Sequence, residues 1–184
     1  MKEIRITKPI VLIGMMGAGK STVGARLAAR LELQFFDLDD QIEQRLNKTV
    51  REIFASQGEE AFRKTERETL QELVAEHDAV IALGGGSLQG GKTIDLLRRT
   101  GRLVYLQTSA DELEKRLRVD VSRPLLQSDS GGVSRLETLS ALLAAREQHY
   151  MQADIIINTN HKTPEQLVEE LAALLDEEDA HAKA

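Results

Sequence analysis

The chain contains no cysteine and no tryptophan among its 184 residues, and only three prolines. The absence of cysteine excludes disulfides, thiolate zinc sites and cysteine nucleophiles, and it suits a cytoplasmic location. Two tyrosines and four phenylalanines leave little aromatic surface for stacking on nucleic-acid bases. The formal net charge of −6 also argues against a nucleic-acid partner, because no net positive field would attract a polyanion.

Long apolar runs are also missing, since no stretch approaches the ~20 residues of a membrane span. The apolar run at Ile10–Ile13 is short and leads into a glycine-rich segment rather than a signal cleavage site. The four histidines lie far apart without metal-ligand spacing. With 41% hydrophobic and 29% charged residues, we expect one globular domain over 1–184. No coiled-coil seam is visible, so a monomer with no membrane partner is expected.

The most specific motif is Gly14-Met-Met-Gly-Ala-Gly-Lys-Ser-Thr22, which has the P-loop pattern Gly-x4-Gly-Lys-Ser. Glycines let the backbone fold around phosphates so that several N–H groups point inward at a helix N-terminus. Lys20 would reach the β- and γ-phosphates, and the Ser21 hydroxyl would bind Mg²⁺. The alternative is a glycine-rich turn without a ligand. The motif predicts a nucleoside triphosphate, held by residues Gly17, Ala18, Gly19, Lys20, Ser21 and Thr22.

Strand-like and helix-like segments alternate along the chain. Strands are predicted at 10–13, 34–38, 79–83, 103–106 and 154–157. Helices are predicted at about 20–30, 40–46, 50–56, 59–76, 91–99, 110–118, 134–150 and 164–175. The alternation predicts an α/β three-layer sandwich with a five-stranded parallel sheet between helices. Residues 119–133 are irregular, and the charged segment 176–184 is expected to be disordered.

Two acids follow the second predicted strand. Alternation along an extended chain would place Asp37 and Asp39 on the same side. One carboxylate could bind Mg²⁺ through water while the other accepts a proton from an attacking hydroxyl. The alternative is helix capping. We interpret Asp40 as such a cap, because Glu43 stands at capping-box spacing from it.

Two arginines fall on the apolar sides of their predicted helices. Arg63 shares a side with Leu70 and Val74, and Glu66 can hold its guanidinium group. Arg146 shares a face with leucines and with Tyr150 in another helix. Each could make only a structural contact. Together, two inward arginines indicate an anionic ligand other than ATP.

Glycines and a loop arginine complete the candidate residues. Gly84, Gly85 and Gly86 follow a buried strand and allow close backbone approach to an oxygen ligand, although a plain turn is the alternative. Arg123 lies in the long loop and could close on the transferring phosphoryl group as an arginine finger. A solvated loop arginine is the alternative reading of that residue.

Taken together, these segments resemble the shikimate kinase family over residues 9–175. The resemblance rests on GMMGAGKST at 14–22, DLD at 37–39, FRKTE at 62–66, GGG at 84–86, RPLL at 123–126 and AARE at 144–147. It implies transfer of the ATP γ-phosphoryl group to the 3-hydroxyl of shikimate, in the pathway to chorismate and aromatic amino acids. It also implies the nucleoside monophosphate kinase fold, with an acceptor-binding region near 40–67 and a lid near 119–133.

The resemblance further implies a role for each matched residue. Asp39 would bind substrate hydroxyls and act as general base, while Asp37 would hold Mg²⁺ through water. The shikimate-binding set would also contain Arg63, Arg146, Gly84, Gly85 and Gly86. The residues around the nucleotide would include Arg116, Arg123, Lys162 and Pro164. Lys162 stands where some family members have an arginine.

Three other functions are compatible with the P-loop alone. A gluconate kinase would share Lys20 and Ser21 but should lack FRKTE and GGG at these places. A non-catalytic nucleotide switch would leave the aspartate pair and the arginines without a common purpose. A nucleoside monophosphate kinase fits less well, because two arginines suit a carboxylate better than a base and ribose.

Overall fold

A parallel sheet forms the centre of the structure, a computed structural model that describes residues 8–76, 78–88, 92–119 and 134–181. Its strands are β1 Ile10–Ile13, β2 Gln34–Asp37, β3 Ala79–Ala82, β4 Arg102–Gln107 and β5 Ile155–Asn158. The strand order is β2-β3-β1-β4-β5, and every neighbouring pair is parallel. Each residue of β1 and β3 is buried, as their unbroken apolar runs predict for central strands covered on both faces.

Helices connect these strands throughout the described part of the chain. They are α1 Lys20–Leu31, α2 Leu38–Leu46, α3 Val50–Leu73, α4 Lys92–Thr100, α5 Ala110–Val119, α6 Arg135–Tyr150 and α7 Pro164–His181. Parallel strands need such crossovers because the end of one strand and the start of the next lie at opposite edges of the sheet. The predicted α/β fold, with a five-stranded parallel sheet flanked by helices, is confirmed.

The start of α2 differs from the prediction. The strand ends at Asp37 and the helix begins at Leu38, two residues earlier than expected. Asp37 is the N-cap, and its Oδ1 accepts a hydrogen bond from the Asp39 amide at 3.1 Å. The predicted cap at Asp40 is therefore wrong. The extended-chain placement of Asp39 is wrong as well, because the Asp37 carboxylate accepts from the Asp39 amide and the helix begins there.

Helix α3 joins two segments that the sequence predicts as separate helices. Thr49 and Glu52 form a reciprocal capping box at its start. Gly58 interrupts the helix with φ 80 and ψ 175, close to the predicted break between 56 and 59. This kink separates the first two turns from the long segment that carries Arg63 and Glu66.

Helix α7 continues past Leu175, where the sequence predicts its end, as far as His181. The part of the 176–184 segment that the structure describes belongs to this helix. Leu175 is fully buried and anchors the preceding turns. Because helix propagation adds one hydrogen bond per residue, residues of high helix propensity such as Glu and Ala can extend an anchored helix. None of the described helices has both the length and the apolar character needed to cross a membrane.

Candidate active site

A cleft of ≈ 670 Å³ opens at the carboxyl ends of the strands. Ligands of open parallel sheets bind at this edge. The P-loop after β1, the acids after β2 and the glycines after β3 converge there, as the sequence predicts. The predicted residues that line the cleft are Gly17, Ala18, Gly19, Lys20, Ser21, Thr22, Asp37, Asp39, Gly84, Gly85, Arg116, Lys162 and Pro164.

The P-loop backbone has a conformation that requires glycine. Gly14, Gly17 and Gly19 have φ values of 142, 80 and 98, which other residues rarely adopt. A Cβ at Gly14 would also lie 2.9 Å from the Leu106 carbonyl oxygen. Gly19 is the N-cap of α1 and offers no side chain to the first helical amides. These amides therefore face the cleft as donors for an anion.

Lys20 lies inside the P-loop rather than in solvent. Its side chain is buried, at 8% exposure, and Nζ donates to the carbonyl oxygens of Gly14 and Met15 at 2.9 Å each. These contacts hold the ammonium group at the floor of the cleft, next to the α1 N-terminus. A cation and a helix N-terminus at one place make a strongly anion-attracting surface.

Two oxygen donors meet where the P-loop approaches the end of β2. The Ser21 hydroxyl donates to Asp37 Oδ2 at 2.5 Å. A hydroxyl and a carboxylate are hard oxygen ligands of the kind that Mg²⁺ prefers. In the described residues, no group of three or more His, Cys, Asp or Glu side chains could hold a metal ion. The chemistry of this hydroxyl and carboxylate pair is compatible with Mg²⁺.

Asp39 lies in the first turn of α2 and packs against the glycine turn. A Cβ at Gly84 would lie 2.6 Å from Asp39 Oδ1, so only glycine at this position lets the carboxylate approach the turn. Asp39 is half-buried, whereas the neighbouring Asp40 is exposed. The structure thus brings Asp39 to the junction between the P-loop cleft and the residues that follow β3.

A second cavity of ≈ 390 Å³ lies beside α3. Arg63 Nη1 donates to Glu66 Oε2 at 2.8 Å, which confirms the predicted ion pair. Glu66 is only 4% exposed, and its Oε1 accepts a hydrogen bond from the Ser87 hydroxyl at 2.6 Å. The cavity is lined by Glu59, Glu60, Arg63, Glu66, Arg67, Ser87 and Thr93.

Arg146 reaches the same glycine turn from α6. Its Nη1 donates to the Gly85 carbonyl oxygen at 2.8 Å, and the Tyr150 hydroxyl donates to that oxygen at 3.3 Å. Burial raises the pKa of Tyr150 while the Arg146 guanidinium opposes the rise, so this phenol remains a donor near neutral pH. Both predicted arginines are therefore linked to one turn. Arg146 contacts Gly85 directly, and Arg63 is linked to Ser87 through Glu66.

Several residues of this region were not predicted from the sequence. Ser87 follows the three glycines, and Tyr150 stands one helical turn after Arg146 in α6. Phe54 and Phe62 pack with ring centroids 4.6 Å apart, and the Arg63 guanidinium lies 5.3 Å from the Phe62 ring centroid. The spacing of four between Arg146 and Tyr150, one helical turn, was the signal that could have indicated a shared target.

The remaining predicted nucleotide residues lie on one wall of the cleft. Arg116 donates to the Thr159 carbonyl at 2.7 Å and to the Ala18 carbonyl at 3.3 Å. Lys162 Nζ donates to Glu170 at 2.6 Å, and Pro164 begins α7. Arg123 lies outside the described residues. So does the predicted lid near 119–133, apart from Val119, which ends α5.

A P-loop cleft, together with a second cavity that Arg63 and Arg67 line beside three glutamates, defines the class: a P-loop phosphotransferase acting on two substrates. The family model described as shikimate kinase matches residues 16–176. The chain therefore belongs to the shikimate kinase family, as the sequence motifs predict.

Individual relatives agree with this assignment. A shikimate kinase from Francisella tularensis subsp. holarctica is 41% identical over 174 residues, covering 94% of this chain and 97% of the relative. The structure of a shikimate kinase from Acinetobacter baumannii in complex with shikimate superposes with a TM-score of 0.83, at 35% identity, over 91% of this chain and 92% of that one.

Two further solved structures differ in their degree of similarity to this chain. A shikimate kinase from Bacteroides thetaiotaomicron gives a TM-score of 0.84 at 37% identity, over 91% of this chain and 97% of that one. A gluconokinase from Sinorhizobium meliloti gives 0.63 at 16% identity, over 97% of each chain. The gluconokinase likeness is one of fold alone.

Proposed function

We propose that this chain transfers the γ-phosphoryl group of ATP to the 3-hydroxyl of shikimate, yielding shikimate 3-phosphate and ADP. This reaction belongs to the route to chorismate and the aromatic amino acids. One observation carries the proposal: Arg63 and Arg146 are tied to the same glycine turn beside the P-loop cleft. Two guanidinium groups at that place suit an acceptor with one carboxylate.

The P-loop cleft is the proposed ATP site. Its backbone amides, from Gly17 to Thr22, surround the phosphates, and Lys20 neutralises charge on the β- and γ-phosphates. The wall formed by Arg116, Lys162 and Pro164 is the proposed adenine side. The existing contacts of Arg116 with Ala18 and Thr159 support this role, because they fix the guanidinium plane next to the P-loop.

Ser21 and Asp37 are the proposed magnesium residues, with Ser21 as a direct ligand and Asp37 acting through water. Their hydrogen bond supports this role because it places both oxygens at one point of the cleft. When bound, Mg²⁺ would neutralise charge on the phosphates and lower the barrier to transfer.

The acceptor half of the site consists of Arg63 and Arg146 at the shikimate carboxylate and the turn Gly84–Gly86 along the ring. Asp39 receives the ring hydroxyls and acts as general base. As the 3-hydroxyl oxygen attacks the γ-phosphorus, its proton passes to the Asp39 carboxylate, and the bond to the ADP oxygen breaks on the opposite side. Holding the ring by its carboxylate presents one hydroxyl in line, and such positioning removes much of the barrier.

The organisation of the whole molecule is also part of the proposal. We infer a single kinase domain that acts as a cytoplasmic monomer without nucleic-acid or membrane partners. Residues 40–67 would form the acceptor region. Residues 119–133 would form a lid, from which Arg123 closes on the transferring phosphoryl group. Closure of that kind would exclude water and prevent ATP hydrolysis.

An acceptor panel tests the proposed reaction. ADP release is measured with shikimate, gluconate and nucleoside monophosphates in parallel, each with Mg²⁺ and with excess EDTA. We expect rapid, Mg²⁺-dependent turnover with shikimate alone. Turnover with gluconate or a nucleotide, and none with shikimate, would reject the proposal. Unchanged shikimate turnover in EDTA would reject only the magnesium assignment.

Replacing Arg63 with alanine should weaken the acceptor site selectively. Loss of a charge-assisted contact to a carboxylate costs about 1.5–3 kcal/mol, so the KM for shikimate should rise about 10- to 100-fold. The KM for ATP should stay within about twofold, because Arg63 is not among the residues that line the larger cleft. Steady-state kinetics with each substrate varied in turn measures both values.

Arg51→Ala is the matched control for this experiment. Arg51 is exposed in the first turn of the same helix, on the other side of the Gly58 kink. Both KM values should match those of the parent chain. If Arg63→Ala leaves the shikimate KM at the parent value, the carboxylate role of Arg63 is wrong.

A further inference from the structure

We propose that Ser87 is a positioning residue of the acceptor site, which sets the orientation of Arg63 through the buried carboxylate of Glu66. This inference rests on the proposed function, since it concerns how the shikimate carboxylate is held. Ser87 itself would not touch the substrate. Its effect would be visible in acceptor binding rather than in nucleotide binding.

The first observation is that the two carboxylate oxygens of Glu66 accept hydrogen bonds from two different side chains. Oε2 accepts from Arg63 Nη1 at 2.8 Å, and Oε1 accepts from the Ser87 hydroxyl at 2.6 Å. Glu66 and Ser87 are 4% and 3% exposed, so bulk water cannot replace either donor easily. A carboxylate with one donor on each oxygen has a fixed plane, and the guanidinium group that pairs with it is fixed in turn.

The second observation is the position of Ser87 in the turn after β3. Its amide donates to the Gly84 carbonyl at 3.2 Å, which closes a four-residue turn. Inside that turn, the Gly85 carbonyl accepts from Arg146 at 2.8 Å. Arg146 is therefore held by one residue of the turn, and Arg63 is held through Glu66 by another. The turn thus relates the positions of two side chains that come from different helices.

The third observation is a second carboxylate partner of Arg63, which contacts a different nitrogen atom of the guanidinium group. Its Nε lies 3.4 Å from Glu59 Oε1, and the Glu59 side chain is 64% exposed. Without the Ser87 hydroxyl, one oxygen of the buried Glu66 carboxylate loses its donor, and an unsatisfied buried group is unfavourable. The Glu66 side chain can then rotate, and the Arg63 guanidinium loses the buried partner that fixes its orientation while it keeps its contact with the exposed Glu59.

Ser87→Ala tests this inference, with Ser87→Thr as the variant that keeps the hydroxyl. We expect Ser87→Ala to raise the shikimate KM about tenfold, equivalent to about 1.4 kcal/mol. Its kcat and its ATP KM should stay within about twofold, and Ser87→Thr should recover most of the shikimate affinity. Thr69→Val is the matched control, since it removes another buried hydroxyl of α3, one whose hydrogen-bond partner is Arg45.

A double-mutant cycle separates this role from a general loss of packing. If Ser87 acts through Arg63, Ser87→Ala should raise the shikimate KM no further in an Arg63→Ala background. Additive effects of the two substitutions would overturn the proposal. So would a Ser87→Ala variant that has a lower melting temperature but the parent shikimate KM.

The failure of this inference is distinct from the failure of the proposed function. A parent chain that does not phosphorylate shikimate rejects the function, and with it the inference. A parent chain that phosphorylates shikimate, together with an unaffected Ser87→Ala variant, rejects only the role of Ser87.

Discussion

Replacing Asp39 with asparagine is expected to lower kcat by about 10²- to 10⁴-fold, the usual contribution of a general base. Asparagine has the shape of aspartate and can still pack against Gly84, where Asp39 Oδ1 lies 2.6 Å from the position a Cβ would take. It can also donate to and accept from ring hydroxyls. It cannot accept the proton of the attacking hydroxyl, so the chemical step should fail while ATP and shikimate still bind.

Single-turnover measurement of phosphoryl transfer, with equilibrium binding of ATP and shikimate, tests this result. Asp40→Asn is the matched control, because it removes one negative charge from the same turn at an exposed position. Its kcat should stay within about threefold of the parent value. An Asp39→Asn chain with near-parent kcat would remove Asp39 from the mechanism, and a similar loss in Asp40→Asn would indicate a general charge effect.

Replacing Lys20 with methionine should lower kcat/KM for ATP by about 10²- to 10³-fold, the usual effect of losing one preorganised donor to developing charge. Methionine resembles the lysine stem in length and polarity, so the buried position remains filled. The ammonium group, which donates to the Gly14 and Met15 carbonyls, is lost. The negative charge that builds on the phosphates during transfer then lacks the cation that Lys20 is proposed to supply.

Two further variants separate charge from loop structure in this experiment. Lys64→Met removes a lysine that is exposed on α3 and should have no effect on ATP kinetics. Lys20→Arg keeps the charge but brings a wider, planar group into a buried site, so it should recover little activity. If Lys20→Met loses less than about fivefold in kcat/KM, the electrostatic role of Lys20 is contradicted. Thermal unfolding of each variant checks that the P-loop still folds.

The fold was predictable because its signals are local. β1 and β3 are unbroken apolar runs, and each helix between the strands carries its own periodicity, so neither depends on distant residues. The end of α7 was harder to predict, because the charged segment after Leu175 has no apolar periodicity that would indicate a helix. The prediction of the α2 N-cap was wrong for a different reason. Three acids at 37, 39 and 40 are chemically alike, and only backbone geometry selects Asp37 as the cap.

Most residues of the candidate site could be predicted from the sequence, but the contacts between them could not. The P-loop, the aspartates, both arginines and the glycines could each be named from the sequence. The contact between Arg63 and Glu66 was also expected, because residues three apart meet on one helix face. The contacts of Ser87 with Glu66 and of Arg146 with Gly85 join residues that are 21 and 61 positions apart. Sequence periodicity does not predict contacts between residues so far apart.

The sequence by itself determined the chemical repertoire of this protein: a phosphate-binding loop, a hydroxyl and a carboxylate suited to Mg²⁺, and two inward-facing arginines. Those features follow from residue type and short-range spacing, which act within one strand or one helical turn. Only the tertiary structure decided that Arg63 and Arg146 share one glycine turn, and that Asp39 lies against that turn beside the P-loop. The physical reason is that parallel strands bring distant segments to one edge of the sheet, where contact depends on packing rather than on order along the chain.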